Sequence, residues 1–279
     1  MRQHKRHRRK WADWAVFACW SCVALGRPHP TDAGPRSAAG RTFVACPVYR
    51  DTNSGRKSGC WLAMDPADGI RYDISLGRTK PQIGHQVLVE GRLETPDQPR
   101  QSGPACGGVV LHPVVVSVLA ATCPGVMLPA ESYPGRRFVL NPKVVLPPAD
   151  VVEPLPAPPY RPRTWSIEFS FGSDFLQYQY SEIILDQIGR YIRASRPRQV
   201  QVIGYAVTAS RSISGERLAE KPQLARARAE MVALALSRLG ASRRMLRVTW
   251  RDNPSPLAPG DPQELAEPSR RRVDVHLVY

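Results

Sequence analysis

Residues 140–163 read LNPKVVLPPADVVEPLPAPPYRPR, with eight prolines in 24 positions. Each proline fixes φ and removes a backbone donor, so neither a helix nor a sheet ladder can run through the stretch. An extended polyproline spacer is expected there, one that holds two domains apart. The 279-residue chain has enough length for a core on each side of it. The expected organisation is a β-rich domain over 41–139, a proline-rich linker over 140–163 and a second domain over 164–279.

Before the prolines, TFVACPVY, GCWLAMD, IRYDIS, QVLVEGRLE and VVLHPVVVSVLA are β-branched or alternating runs bounded by Gly, Pro, Asp and Asn. None carries a 3.6-residue period. A small all-β barrel is expected, of the oligonucleotide/oligosaccharide-binding type. His85 and His112 stand alone and read as strand-edge or turn residues. After the prolines the pattern changes. WSIEFSF places Trp165, Ile167, Phe169 and Phe171 on one face of a strand. SEIILDQIGRYIRAS offers Ser181 as N-cap and a helical stripe of Ile184, Leu185, Ile188 and Ile192. QVQVIGYA is a second strand, followed by a polar loop over 208–220. QLARARAEMVALALSRLG is a second helix that Gly240 stops, and MLRVTW and RRVDVHLVY are further strands. The order β-α-β-α-β-β predicts an α+β domain with its helices on one sheet face.

The N-terminus bears on location. MRQHKRHRRK holds six Lys/Arg in ten residues, and WADWAVFACWSCVALG after it has signal-peptide length. Ala24-Leu25-Gly26 supplies the small residues of a cleavage site, so a signal peptide over 1–26 and a periplasmic or cell-envelope location are expected. A retained anchor and a lipid-modified Cys19 are the alternatives; Val16-Phe17-Ala18-Cys19 resembles a lipobox, with Phe17 wrong for its middle position. Cleavage after Gly26 removes six cations and Asp13, lowering the formal charge from +15 to +10. The remaining surplus forms no long basic run, which argues against a nucleic-acid partner. Four cysteines then remain, Cys46, Cys60, Cys106 and Cys123. In an oxidising compartment they read as two disulfides, with Cys46–Cys60 and Cys106–Cys123 closing loops between neighbouring strands. A zinc site is the rival, but the four contain no CxxC and no paired histidines lie nearby.

IEFSFGSDFL, VQVIGYA, LARARAEMV and RRRVDV, in that order, resemble the OmpA-like peptidoglycan-binding domain of bacterial envelopes over residues 164–279. The resemblance implies a ligand, the diaminopimelate of the peptide stem, whose carboxylate is held by an arginine matching Arg228 and whose amine is held by a turn aspartate. A guanidinium fork suits a carboxylate. The aspartate does not carry over: the turn reads Gly204-Tyr205-Ala206-Val207-Thr208, with Val207 in the acid's place, and Lys221 replaces a family asparagine. Glu216 and Glu220, in a loop longer than the family's, are the acids available to substitute. Tyr205, Val207, Thr208, Glu216, Glu220 and Arg228 are therefore the candidate ligand-binding set.

Arg228 reads equally as a structural charge that snorkels or pairs with an acid. With Leu224, Met231 and Ala235 taken as the packed stripe, Arg228 sits at its edge and Arg226, about 200° round the axis, faces solvent. Of Arg270, Arg271 and Arg272, alternate members must point in opposite directions. No Ser/His/Asp or paired-carboxylate arrangement is suggested, so no catalytic residue, metal or cofactor is expected. The function expected is a non-enzymatic envelope protein, associated with the outer membrane or its neighbourhood, that docks weakly on peptidoglycan. The alternative is an interaction module for envelope proteins or a secretion assembly that has lost the pocket.

Overall fold

The computed structural model describes residues 40–52, 59–93, 107–131, 154–155, 157–258 and 265–279. The leader expected over 1–26 with Cys19, most of the proline segment, and Cys106 lie outside the described residues.

The β-branched runs of the first half become β1 (Gly40–Ala45), β2 (Val48–Thr52), β3 (Cys60–Met64), β4 (Arg71–Asp73), β5 (His85–Leu93), β6 (Val109–Thr122) and β7 (Val126–Glu131). They join one sheet in the order β1-β5-β6-β4-β3-β2-β7. Strand β7 was not evident from sequence because Pro129 demotes its run; a proline is tolerated there because β7 ends the sheet order. Phe43, Tyr72, Val87, Val89, Leu111 and Val116 form the core of this half.

The second half contains β8 (Arg163–Glu168), α1 (Tyr180–Ser195), β9 (Gln199–Ala206), β10 (Arg211–Ile213), β11 (Glu216–Leu218), α2 (Gln223–Arg238), β12 (Leu246–Asp252) and β13 (Arg272–Val278). Four strands form a sheet in the order β12-β9-β13-β8, with β9 and β12 parallel and the other pairs antiparallel. This is the expected β-α-β-α-β-β sequence with one addition. The loop expected over 208–220 folds into the hairpin β10–β11, turned by Ser214 and Gly215, both at positive φ.

Two helix details differ from expectation. Gln179, not Ser181, caps α1; it exchanges side-chain and backbone hydrogen bonds with Glu182 in a capping box, and Ser181 is buried inside the first turn. On α2 the packed stripe is Ala225, Arg228, Ala229, Val232, Ala233 and Leu236. Met231, expected inside, is exposed. The cause lies in the sheet below. A Cβ at Gly204 would fall 1.9 Å from the Ala225 carbonyl oxygen, so α2 rests its backbone on β9 and presents its alanines to the contact. The helix ends as expected: Gly240 takes φ +100°, its N–H reaches Ser237 O at 3.2 Å, and Ala241 N–H reaches Leu236 O at 3.0 Å. Gly204→Ala is expected to lower stability by about 2–4 kcal/mol, read by urea denaturation, because the backbone of a packed helix must move.

The two halves touch, contrary to the expectation of a spacer that keeps them apart; residues 38–279 form one unit. Arg271, ahead of β13, makes a buried two-pronged ion pair with Glu90 of β5. Ser117 Oγ accepts from Phe171 N at 2.8 Å, and Thr79 Oγ1 lies 2.9 Å from Ser170 Oγ. Arg78 stacks over the Tyr180 ring, 3.5 Å from its centroid. The hairpin joins this contact: Ser214 Oγ accepts from Val44 N at 3.1 Å, on edge strand β1. Ile213, Leu218 and Phe171 pack there against Val44, Leu88 and Leu119. A charged pair, polar contacts and an apolar cluster together close a surface that a spacer alone would leave wet.

Candidate functional site

Arg228 lies on α2 above the C-terminal end of β9 and is fully buried. Each of its N–H groups has an acceptor. Nε donates to Ser173 O at 2.8 Å; Nη1 donates to Tyr205 O at 2.8 Å and Glu220 Oε2 at 3.1 Å. Nη2 donates to Ser170 O at 3.2 Å and Glu220 Oε1 at 2.5 Å. These five bonds match the five donors of a guanidinium, leaving none for a further acceptor. The Phe169 ring closes one face, 5.3 Å from the guanidinium carbon.

Glu220 is equally saturated. Besides Arg228, its carboxylate accepts from Val207 N at 2.7 Å and Gly172 N at 2.9 Å, and both side chains of the pair are wholly shielded from solvent. Its own N–H returns to Val207 O at 2.9 Å. Burial works to raise the Glu220 pKa, but the Arg228 guanidinium and the two backbone donors outweigh it and hold the carboxyl below its ordinary value. Position 207 therefore contributes its backbone N–H, a donor that valine supplies as well as any residue.

Arg228, Val207, Glu220 and the Tyr205 carbonyl come together as one cluster. Thr208 turns aside, its Oγ1 accepting from Asn253 Nδ2 at 2.8 Å. Glu216 is exposed on the hairpin opposite Ile213. The ring of Tyr205 sits under Arg272, 4.6 Å from the guanidinium carbon, and burial raises its pKa, helped by Asp274 and opposed by Arg272. Arg226 is exposed and pairs with Glu230 one turn on at 2.7 Å. The three consecutive arginines separate: Arg270 donates to Pro254 O, Arg271 pairs with Glu90, and Arg272 pairs with Asp274. The Glu90–Arg271 pair was missed in the sequence. A lone acid inside the apolar run VLVEG was the available signal, since such a run buries an acid only with a partner.

The cysteines need a correction. Cys46 and Cys123 are free thiols, while Cys60 is disulfide-bonded, so Cys46–Cys60 and Cys106–Cys123 are not the pairs formed. Strands β2 and β3 are antiparallel neighbours with Arg50 opposite Cys60, which places Cys46 beyond the register of Cys60. Among the described residues no group of three or more His, Cys, Asp or Glu could hold a metal ion.

No protein-family model and no curated protein matches the chain. Several solved structures are similar to part of it. The OmpA-like domain of FopA1 from Francisella tularensis subsp. tularensis SCHU S4 is 18% identical with TM-score 0.32, covering 42% of this chain and 71% of that one. The peptidoglycan-associated lipoprotein from Burkholderia pseudomallei is 27% identical with TM-score 0.31, covering 39% and 86%. The cell wall anchor of the T6SS from Pseudomonas aeruginosa is 18% identical with TM-score 0.32, covering 42% and 81%.

Proposed function

We propose that the protein is a non-enzymatic cell-envelope protein whose OmpA-like region, residues 164–279, works as an interaction module with its carboxylate-receiving cleft filled from within. One observation carries this reading: all five Arg228 donors are taken, two of them by Glu220. An incoming stem carboxylate would have to displace a buried, fully hydrogen-bonded carboxylate of equal charge, which leaves little net gain. The β-rich half is read as a barrel of the oligonucleotide/oligosaccharide-binding type. The sheet order is open, running from β1 to β7; what supports the reading is that β1 and β2, separated only by Cys46 and Pro47, flank the run β5-β6-β4-β3. The exported location and the boundaries at 140 and 163 belong to the same proposal.

A second reading is favoured by the three carbonyls of Ser170, Ser173 and Tyr205, which hold the guanidinium in place without help from Glu220. In it a stem carboxylate displaces Glu220 and the protein docks weakly on peptidoglycan. Co-sedimentation with purified sacculi separates the two. The first reading expects wild-type protein at the level of a non-binding control, and about tenfold more retention once Glu220→Ala and Val207→Asp vacate the cleft and restore a turn acid. Wild-type retention that free diaminopimelate competes away would overturn the first reading and support the second.

A further inference from the structure

We propose that Cys46 and Cys123 are the second disulfide site of the protein, formed by thiol–disulfide exchange with a protein disulfide donor. Three facts of geometry bring them together. Strand β1 ends at Ala45 opposite Val87, and β6 ends at Thr122 opposite His85, so both strands run out beside the same end of β5. The next strands, β2 and β7, pair in parallel from Val48 opposite Val126, so the chain segments entering that pair converge. Cys46 and Cys123 occupy those two segments, and the Cys46 thiol is near enough to perturb that of Cys123. The Cys123 backbone is itself fixed, its N–H donating to Gly84 O at 2.9 Å.

Burial pushes the Cys123 thiol up to about 11, helped by Cys46 beside it, so at neutral pH it stays protonated until the exchange begins. The exchange can open at either thiol, for instance at that of Cys46. Its thiolate attacks one sulfur of the donor disulfide, forms a mixed disulfide and releases the other donor sulfur as a thiolate. Cys123 then gives up its proton and attacks the Cys46 sulfur, releasing the second donor thiolate. One protein disulfide forms, the donor is reduced by two electrons, and two protons leave. The link fastens the end of β1, two residues from the Val44 N–H on which the hairpin rests. That hairpin leads directly into Glu220, so the bond stiffens the support of the filled cleft.

The test uses the full chain incubated with oxidised glutathione, then alkylated with N-ethylmaleimide and digested without reduction. A peptide cross-linked between Cys46 and Cys123 is expected, with neither cysteine alkylated. In Cys123→Ser, Cys46 is expected as its mixed disulfide with glutathione, with no cross-linked peptide, while Cys60 stays bonded. The oxidised wild type should melt about 5–10 °C above Cys123→Ser treated in the same way, since the link closes a long loop. Alkylation of both cysteines after full oxidation, or a cross-link from Cys46 to any cysteine other than Cys123, would overturn the proposal. Equal melting temperatures alongside the cross-link would overturn the stiffening.

Discussion

Truncating Glu90 to alanine is expected to cost the protein about 3–5 kcal/mol, because Arg271 is then left charged, buried and unpaired. The Arg271 side chain is only 2% exposed; burial works to lower its pKa, but Glu90 outweighs that and lifts it above the ordinary arginine value. Without Glu90 that support is gone, but an arginine keeps its proton even when buried, so deprotonation is no escape. Water must enter, or the two halves must part along the contact made by Ser117, Phe171, Thr79 and Ser170. Urea denaturation followed by Trp fluorescence measures the loss. The paired change Glu90→Leu with Arg271→Met should recover most of it, because a well-packed apolar pair replaces a buried ion pair at little cost. A loss below about 1 kcal/mol in Glu90→Ala would mean that the pair is open to solvent and the halves move independently.

The second large effect belongs to Arg228 and Glu220. Arg228→Met is expected to cost about 3–5 kcal/mol, since the carboxylate of Glu220 and three carbonyls lose their donors at once. The pH dependence follows from the lowered Glu220 pKa. A carboxyl with a folded pKa below its unfolded one adds stability that is present above the unfolded value, near the ordinary 4.5, and is lost as pH falls through the folded value. Wild-type stability should therefore decline more steeply below pH 4.5 than that of Glu220→Leu. Thermal melts from pH 7 to pH 3 would show the two profiles converging; parallel profiles would count against the ion pair.

Much of this architecture could be read from the chain because its periods are strong. WSIEFSF and QVQVIGYA alternate cleanly; QVQVIGYA is a strand of the second sheet throughout, and WSIEFSF as far as Glu168, with Phe171 packed instead against Val44, Leu88 and Leu119. The end of α2 was equally plain, since Gly240 accepts the positive φ that other residues resist. Rotation of α2 was harder. Leu224 and Met231 are the more apolar residues, but Gly204 lets the helix backbone settle onto β9, and only alanines fit such close contact. Sequence periodicity carries no information on how near two backbones come.

At the candidate site, Arg228 and Glu220 were both picked out, yet their relation was not. A loop with extra residues suggested room for a substitute acid; instead it folds as a hairpin, docks on β1 and delivers Glu220 into the cleft itself. Long-range contacts such as Glu90 with Arg271, 181 residues apart, depend on how the halves meet, and no local pattern encodes that. The cysteine pairing failed for a related reason. Proximity along the chain favoured Cys46 with Cys60, whereas the thiol that faces Cys46 comes from the far end of β6.

A double-mutant cycle on Arg228→Met and Glu220→Leu tests most directly whether the cleft is occupied from within. With unfolding free energies from urea titration, the two single variants should each lose about 3–5 kcal/mol, and the double variant should lose at least about 2 kcal/mol less than their sum. Strictly additive losses would mean that the two side chains do not hold each other, and the cleft would then be open to an outside anion.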